Sequence, residues 1–102
     1  MKKLLTVCLV ILTTTCLAAD KPPRTGLWNG HAPTGNGQFE DADAWITLHR
    51  PAKGNGTAIV ICPGGGYGTL VSGPEGHGIA EWLNRHEITG VVLEYRLPAG
   101  RS

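Results

Sequence analysis

The triplet Gly64-Gly65-Gly66 is the part of the sequence whose residue types could take part in chemistry. It directly follows an apolar run at 58–62 and precedes Tyr67. Glycines leave main-chain N–H groups unshielded by side chains, so such a loop can bind a negatively charged oxygen. That oxygen could belong to a nucleotide phosphate, a dinucleotide pyrophosphate or the oxyanion of an acyl-transfer intermediate. The alternative without chemistry is a glycine-rich turn that only reverses the chain.

The two nucleotide interpretations lack necessary residues. A dinucleotide fingerprint starting at Gly64 needs a glycine at position 69, which is Thr69. Glu94, at the end of the next predicted strand, is placed to meet a ribose, but residues 67–73 separate the glycines from the next helix. A Walker loop needs Lys-Ser or Lys-Thr after the glycines, and neither pair is present. An oxyanion fits better, because backbone N–H donors stabilise it by about 3–4 kcal/mol each.

Apolar patterns predict the elements around this loop. Alternation over 45–50, closed by Pro51, predicts a half-buried strand. The continuous apolar runs at 57–62 and 90–95 are typical of strands buried on both faces. The Asn55-Gly56 pair predicts a hairpin between the first two strands. Cys62 then ends a buried strand and is expected to lie in the core.

A helix is predicted between the last two strands. Ser72 as N-cap and Glu75 three residues later have the spacing of a capping box. The helix is predicted over 76–86, from the helical spacing of Ile79, Trp82 and Leu83. Glu87 follows it where a left-handed glycine would be easier. The strand–helix–strand order is one βαβ crossover, and it predicts a parallel strand pair in an α/β sheet.

The N-terminal residues have the layout of a secretory signal peptide over 1–19. A basic start precedes an apolar stretch at 4–17, and Ala18 and Ala19 offer a cleavage site. The stretch is shorter than the roughly 20 residues of a membrane span, so we expect a secreted or periplasmic protein without a stable membrane anchor. Residues 20–43 are rich in Pro and Gly and predict an arm or loop, with Leu27 and Trp28 as its anchors.

Composition excludes several classes of protein. Of three cysteines only Cys62 lies outside the signal segment, so the mature chain has no intramolecular disulfide. A net charge of +1 with mixed signs provides no basic face for nucleic acid. We expect neither a cofactor nor a metal.

Residues 27–98 resemble the N-terminal part of secreted bacterial α/β-hydrolases of the esterase and lipase type, and in particular the acetylxylan-esterase-like group. The segments that carry the resemblance are LW at 27–28, AP at 32–33, ITLHRP at 46–51, CPGGGY at 62–67, GHGIAEWLN at 76–84 and VLEYRLP at 92–98. The resemblance implies an α/β-hydrolase fold in which Gly65 and Gly66 offer oxyanion-hole N–H groups and Gly64 and Tyr67 shape the loop. Pro63 stands where the common motif of the family has histidine.

The catalytic residues that the resemblance implies are missing from the sequence. The family needs a serine in G-x-S-x-G, then an acid, then a histidine, and no G-x-S-x-G occurs. Ser72 is interpreted as a cap, and Ser102 is the last residue given. The four histidines, His31, His49, His77 and His86, all precede the expected serine. His77, close to the loop, is interpreted mainly as a surface helix residue and alternatively as a substrate contact.

These observations predict residues 44–102 to be an incomplete N-terminal portion of an α/β-hydrolase domain, with a β-hairpin and one βαβ crossover. The expected function is that of a serine esterase which removes acyl groups, such as acetyl groups on xylan or another polysaccharide. The chain would carry the oxyanion-hole loop and have no esterase activity alone. We also expect it to fold poorly, because its buried strands lack covering helices. The rival interpretation is a non-catalytic truncated product or a binding module on an α/β scaffold.

Overall fold

A computed structural model describes residues 21–28, 32–33 and 44–98. The predicted signal peptide over 1–19, most of the predicted arm and Ser102 lie outside the described residues. The strands are β1 (Arg24–Gly26), β2 (Trp45–His49), β3 (Ala58–Ile61) and β4 (Thr89–Glu94). A π-helical turn (Gly73–His77) leads directly into helix α1 (Gly78–Asn84). Neither helical segment has the length and apolarity that crossing a membrane requires, within the described ranges.

The four strands form one mixed sheet in the order β1-β2-β4-β3. β2 runs antiparallel to β1 and to β4, whereas β3 runs parallel to β4. The parallel register pairs Ile59 with Gly90 and Ile61 with Val92. The predicted crossover from β3 through α1 to β4 is therefore confirmed, and the described residues are consistent with part of an α/β protein.

The predicted hairpin at Asn55-Gly56 is wrong, because β4 lies between β2 and β3. The Asn55 side chain instead accepts a hydrogen bond from the N–H of Thr57 at 2.9 Å, which closes a local turn. Gly56 has a φ of 87°, and the N–H of Asn55 donates to the carbonyl of Glu87 at 2.8 Å. The turn thus packs against the segment before β4 and leaves room for β4 beside β2.

Strand β1 lies in the segment predicted to be a loop. Its Arg24 guanidinium lies 4.4 Å from the centre of the Trp45 ring and 3.2 Å from a carboxylate oxygen of Glu94. Leu27 and Trp28 are 39% and 40% exposed and are not buried anchors. Strand pairing and the Arg24 contacts attach this segment to the sheet instead. Three residues with no apolar alternation carry no strand signal in the sequence.

The core lies between α1 and the sheet. Its buried apolar side chains are Ile61, Ala80, Leu83 and Val92. Gly90 permits the close approach of helix and strand, because a Cβ there would lie 2.7 Å from the Cβ of Ala80. The sheet is thus covered by α1 on one side.

The prediction that β3 is buried on both faces is wrong. Ile59 and Val60 are 41% and 61% exposed, and Cys62 is exposed rather than in the core. β3 is one of the two edge strands of the described sheet, and α1 covers it only around Ile61. β4, in the middle of the sheet, alternates between buried and half-buried residues.

The helix begins differently from the predicted capping box. Ser72 already has helical backbone angles and makes no side-chain cap hydrogen bond. Its carbonyl accepts the N–H of His77 at 2.8 Å, a π-helical bond that continues into α1. The carboxylate of Glu75 is engaged elsewhere, with the N–H of Gly64. Glu87 has a φ of 62°, which confirms the left-handed position expected after the helix.

Candidate functional site

The glycine loop, defined here as residues 63–72, joins β3 to the π-helical turn. Pro63 at its start is fully buried, and the Pro63 carbonyl accepts a hydrogen bond from the Tyr95 hydroxyl at 2.5 Å. The N–H of Gly64 donates to Oε2 of Glu75 at 2.9 Å. The carbonyl of Pro63 and the N–H of Gly64 belong to the same peptide group, so both ends of that group are held by side chains.

The middle of the loop has a conformation that requires glycine. Gly65 has a φ of 155°, and a Cβ there would lie 2.0 Å from the carbonyl oxygen of Thr69. Gly66 and Tyr67 have φ values of 64° and 62°. The N–H of Gly68 donates a hydrogen bond to the carbonyl oxygen of Gly65 at 3.3 Å, which folds this part of the chain back on itself.

The backbone N–H groups of Gly64, Gly65 and Gly66 differ in their partners. That of Gly64 is bound to Glu75, as described above. Those of Gly65 and Gly66 donate no hydrogen bond to any residue in the described part of the chain. Gly65 is half-buried and Gly66 is exposed. The loop therefore presents two neighbouring unpaired donors, which is what binding an anionic oxygen requires.

His49 and His77 form a hydrogen-bonded pair away from the glycine loop. Nε2 of His49 lies 2.8 Å from Nδ1 of His77, and the rings are tilted by 52°. Asn84 fixes the end of β2 by donating to the carbonyl of His49 at 2.8 Å. Burial lowers the pKa of His49, and the charge of His77 lowers it further, against the opposing effect of Glu81. His77 is thus half-buried against His49 rather than on the surface.

The histidine pair lines a cavity of about 490 Å³ beside α1. Its charged lining residues are Lys21, Arg24, Glu81 and Glu94. No residue of the glycine loop lines it. The unpaired N–H groups and the histidines therefore do not face one described cavity.

The other site residues considered from the sequence have no described contact with the glycine loop. Glu94 is paired with Arg24 rather than free to meet a ribose. His86 stacks on Trp82, with the ring centres 4.2 Å apart. Across residues 21–28, 32–33 and 44–98, no cluster of three or more His, Cys, Asp or Glu side chains could hold a metal ion. His31 lies outside the described residues.

Sequence reasoning missed the roles of Glu75 and Tyr95. The sequence predicts Glu75 as part of a helix cap and Tyr95 as the end of a strand, and it predicts neither contact with the peptide group between Pro63 and Gly64. A signal for Tyr95 was present, because the carboxyl ends of adjacent parallel strands meet at one edge of a sheet. Pro63 and Tyr95 each follow such an end, of β3 and β4 respectively.

Comparison with known proteins found a partial similarity to an esterase. No family model matches the chain. Over 61 residues, 60% of the chain, it is 41% identical to an acetylxylan esterase of Xylanibacter ruminicola. The matched part is 13% of that esterase, so the chain spans only a small share of this relative's length. The match supports, for part of the chain, a relation to carboxylic ester hydrolases.

Proposed function

We propose that this chain is the part of an exported serine ester hydrolase that carries the oxyanion-hole loop. Gly65 and Gly66 are the proposed N–H donors, with Gly64 and Tyr67 shaping the loop around them. The observation that carries the proposal is the pair of unpaired N–H groups next to a Gly64 N–H that is already bound to Glu75. The partial identity to an acetylxylan esterase supports the same chemistry.

The place of the loop in the fold adds support. In α/β-hydrolases one oxyanion donor comes from the loop between the third strand and the first helix. With β1 counted, β3 is the third strand here, and the glycine loop leads from β3 through the π-helical turn to α1. We therefore propose that the described sheet is the corresponding part of an α/β-hydrolase fold.

In the proposed reaction, a serine that this sequence does not supply attacks the carbonyl carbon of an ester. A histidine, also supplied elsewhere, takes the serine proton and gives it to the leaving alcohol, and a water molecule then cleaves the acyl-serine bond and releases the acid. The carbonyl oxygen becomes negative in the tetrahedral intermediate and accepts the N–H groups of Gly65 or Gly66 and of the residue after the serine. The proposed substrate is an acetylated polysaccharide such as xylan.

Binding of acetate, the acid product of deacetylation, tests the donors. Acetate added to the ¹⁵N-labelled chain is expected to move the amide resonances of Gly65 and Gly66 by nuclear magnetic resonance (NMR). The shifts should weaken in Gly66→Ala, because a φ of 64° costs an alanine about 1–2 kcal/mol. Gly68→Ala is the matched control, since a Cβ there meets nothing within 4 Å. Shifts spread evenly over the surface would refute the proposed donors.

The rival function is that of a non-catalytic truncated product or a binding module on an α/β scaffold, which would use the described sheet without a catalytic serine. Such a module has no need of unpaired N–H groups in a strained glycine loop. Acetate shifts confined to Gly65 and Gly66 therefore favour the esterase function. Amide resonances of the loop that do not move when acetate is added favour the non-catalytic product or binding module.

A further inference from the structure

We propose that Glu75 and Tyr95 are positioning residues which aim the N–H groups of Gly65 and Gly66. They do so by clamping the peptide group between Pro63 and Gly64. The clamp is read directly from the structure, whereas its purpose, aiming oxyanion donors, rests on the proposed function above.

The two hydrogen bonds act on one rigid plane. A peptide group is planar, so a bond at its oxygen and another at its nitrogen fix its orientation. The Tyr95 hydroxyl holds the oxygen at 2.5 Å and the Glu75 carboxylate holds the nitrogen at 2.9 Å. Because Tyr95 follows β4 and Glu75 lies in the π-helical turn, the plane is tied to both the sheet and the helix.

Packing reinforces the clamp on the side of the proline. Gly76, the neighbour of Glu75, is buried, and a Cβ there would lie 3.1 Å from Cγ of Pro63. The same Cβ would lie 2.9 Å from Cγ1 of Val92 in β4. The π-helical turn therefore rests directly on Pro63, and only a glycine at position 76 lets it come this close.

The clamp also determines which donors remain for a ligand. The Glu75 carboxylate occupies the N–H of Gly64, so the next two N–H groups in the chain are the unpaired ones. Phosphate-binding loops use several successive backbone N–H groups, whereas here the first N–H of the series is occupied by a carboxylate. A negative charge at this position repels a dianion more than a single developing oxyanion. The clamped loop thus suits an ester carbonyl better than a phosphate.

The test uses the full ¹⁵N-labelled chain. Trimethylamine N-oxide is added because it favours the folded state, and the chain is expected to fold poorly alone. We compare Glu75→Ala, Glu75→Gln and Tyr95→Phe with the unchanged chain. Glu75→Gln keeps an oxygen acceptor, and Tyr95→Phe keeps the ring. Glu81→Ala is the matched control, because Glu81 is an exposed glutamate of the adjoining helix α1 and lines the separate cavity.

Two readouts are measured, hydrogen exchange at Gly64 and the affinity for acetate from the shifts of Gly65 and Gly66. Loss of one hydrogen bond, at about 0.5–1.5 kcal/mol, corresponds to roughly a twofold to tenfold change. We expect Glu75→Ala to speed exchange at Gly64 by that factor. Acetate should bind Glu75→Ala more weakly than Glu75→Gln, which lacks the same charge, and Tyr95→Phe more weakly than the unchanged chain, each by that factor. Glu81→Ala should stay within about twofold of the unchanged chain in both readouts, and Glu75→Gln within about twofold in exchange at Gly64. Gly90, in the middle of the sheet, should keep its resonance throughout.

The outcomes separate the two proposals. Unchanged exchange at Gly64 in Glu75→Ala overturns the clamp, whatever acetate does. Equal acetate affinity in Glu75→Ala and Glu75→Gln and an unchanged affinity in Tyr95→Phe, with clear binding to the original chain, overturn the positioning role and leave the proposed function standing. No acetate shift in the original chain, together with faster exchange at Gly64 in Glu75→Ala, overturns the proposed function while the clamp itself stands. If Glu75→Ala fails to fold, Tyr95→Phe decides by its acetate affinity.

Discussion

Tyr95 and Glu75 bind opposite ends of the same peptide group, that between Pro63 and Gly64. One side chain comes from the end of the central strand β4 and the other from the turn that opens α1. Gly65 and Gly66, the next two residues, have positive φ, and their N–H groups have no partner among the described residues. The loop is therefore rigid at its entrance and accessible at its tip, an arrangement that suits preorganised donors.

Gly65 is expected to be the least replaceable glycine of the loop. In Gly65→Ala the new Cβ would lie 2.0 Å from backbone of Thr69, at a φ of 155°, so the loop must shift. Overpacking and backbone strain together predict a loss of about 2–4 kcal/mol in the free energy of unfolding. Urea denaturation at a constant concentration of trimethylamine N-oxide, which favours the folded chain, measures it by circular dichroism. Gly68→Ala should change that free energy by less than about 0.5 kcal/mol, and equal losses in the two variants would contradict the described loop.

Stability is expected to fall in mild acid because of His49. Its pKa in the folded chain lies below the ordinary value of 6.5, chiefly through burial. The unfolded chain therefore binds the proton more readily, and folded stability is complete above pH 6.5 and declines as the pH falls below it. The charged groups around the pair are His77, Glu81 and, across the cavity, Lys21, Arg24 and Glu94.

The measurement is the urea midpoint at several pH values. His49→Gln should flatten the decline below pH 6.5, whereas His86→Gln, which changes an exposed ring stacked on Trp82, should not. A midpoint that rises as the pH falls through this range would have the wrong sign for a buried neutral histidine.

Gly90 is expected to control how closely α1 approaches the sheet. A Cβ at this position would lie 2.7 Å from Cβ and 2.8 Å from Cα of Ala80. Gly90→Ala should therefore lower the free energy of unfolding by about 1–3 kcal/mol. Gly56→Asn is an informative comparison, because Gly56 has open space around it and asparagine tolerates a left-handed φ. The loss in the free energy of unfolding, measured by the same denaturation, should be smaller in Gly56→Asn than in Gly90→Ala.

The chain alone is expected not to turn over p-nitrophenyl acetate, because its sequence has no G-x-S-x-G nucleophile. The assay follows release of p-nitrophenol by absorbance, with buffer and heat-denatured chain as blanks. Turnover by the folded chain that disappears in Gly65→Ala would contradict the proposal that the catalytic serine is not among these residues. Turnover that persists in Gly65→Ala and disappears in Cys62→Ser would assign it to the exposed thiol of Cys62 instead.

The sequence allowed the crossover to be predicted, because each of its elements carries its own local pattern. The apolar runs of β3 and β4 and the helical spacing of Ile79 and Leu83 are signals of this kind. The insertion of β4 between β2 and β3 has no local signal, since it depends on pairing between distant residues. The Asn55-Gly56 pair is a local turn signal and carries no information about distant strands. It therefore led to the wrong prediction that β3 lies beside β2.

The same distinction applies to the candidate site. The glycines were recognisable from their types and spacing, whereas their partners were not. Glu75 had a plausible local role as a cap, and its contact with Gly64 spans eleven positions. Tyr95 reaches Pro63 across thirty-two positions, through the parallel pairing of β3 and β4. Exposure of Cys62 likewise depends on which edge of the sheet β3 occupies.

The central claim, that Gly65 and Gly66 are the donors for an oxyanion, is tested most directly by comparing acetate with phosphate. Both anions are titrated into the ¹⁵N-labelled chain at pH 7.5 and constant ionic strength, and amide shifts are followed by NMR. The account predicts that acetate moves the resonances of Gly65 and Gly66, that Gly64 stays protected by Glu75, and that phosphate binds no more tightly than acetate. Tighter binding of phosphate with shifts at Gly64, Gly65 and Gly66 together would contradict it.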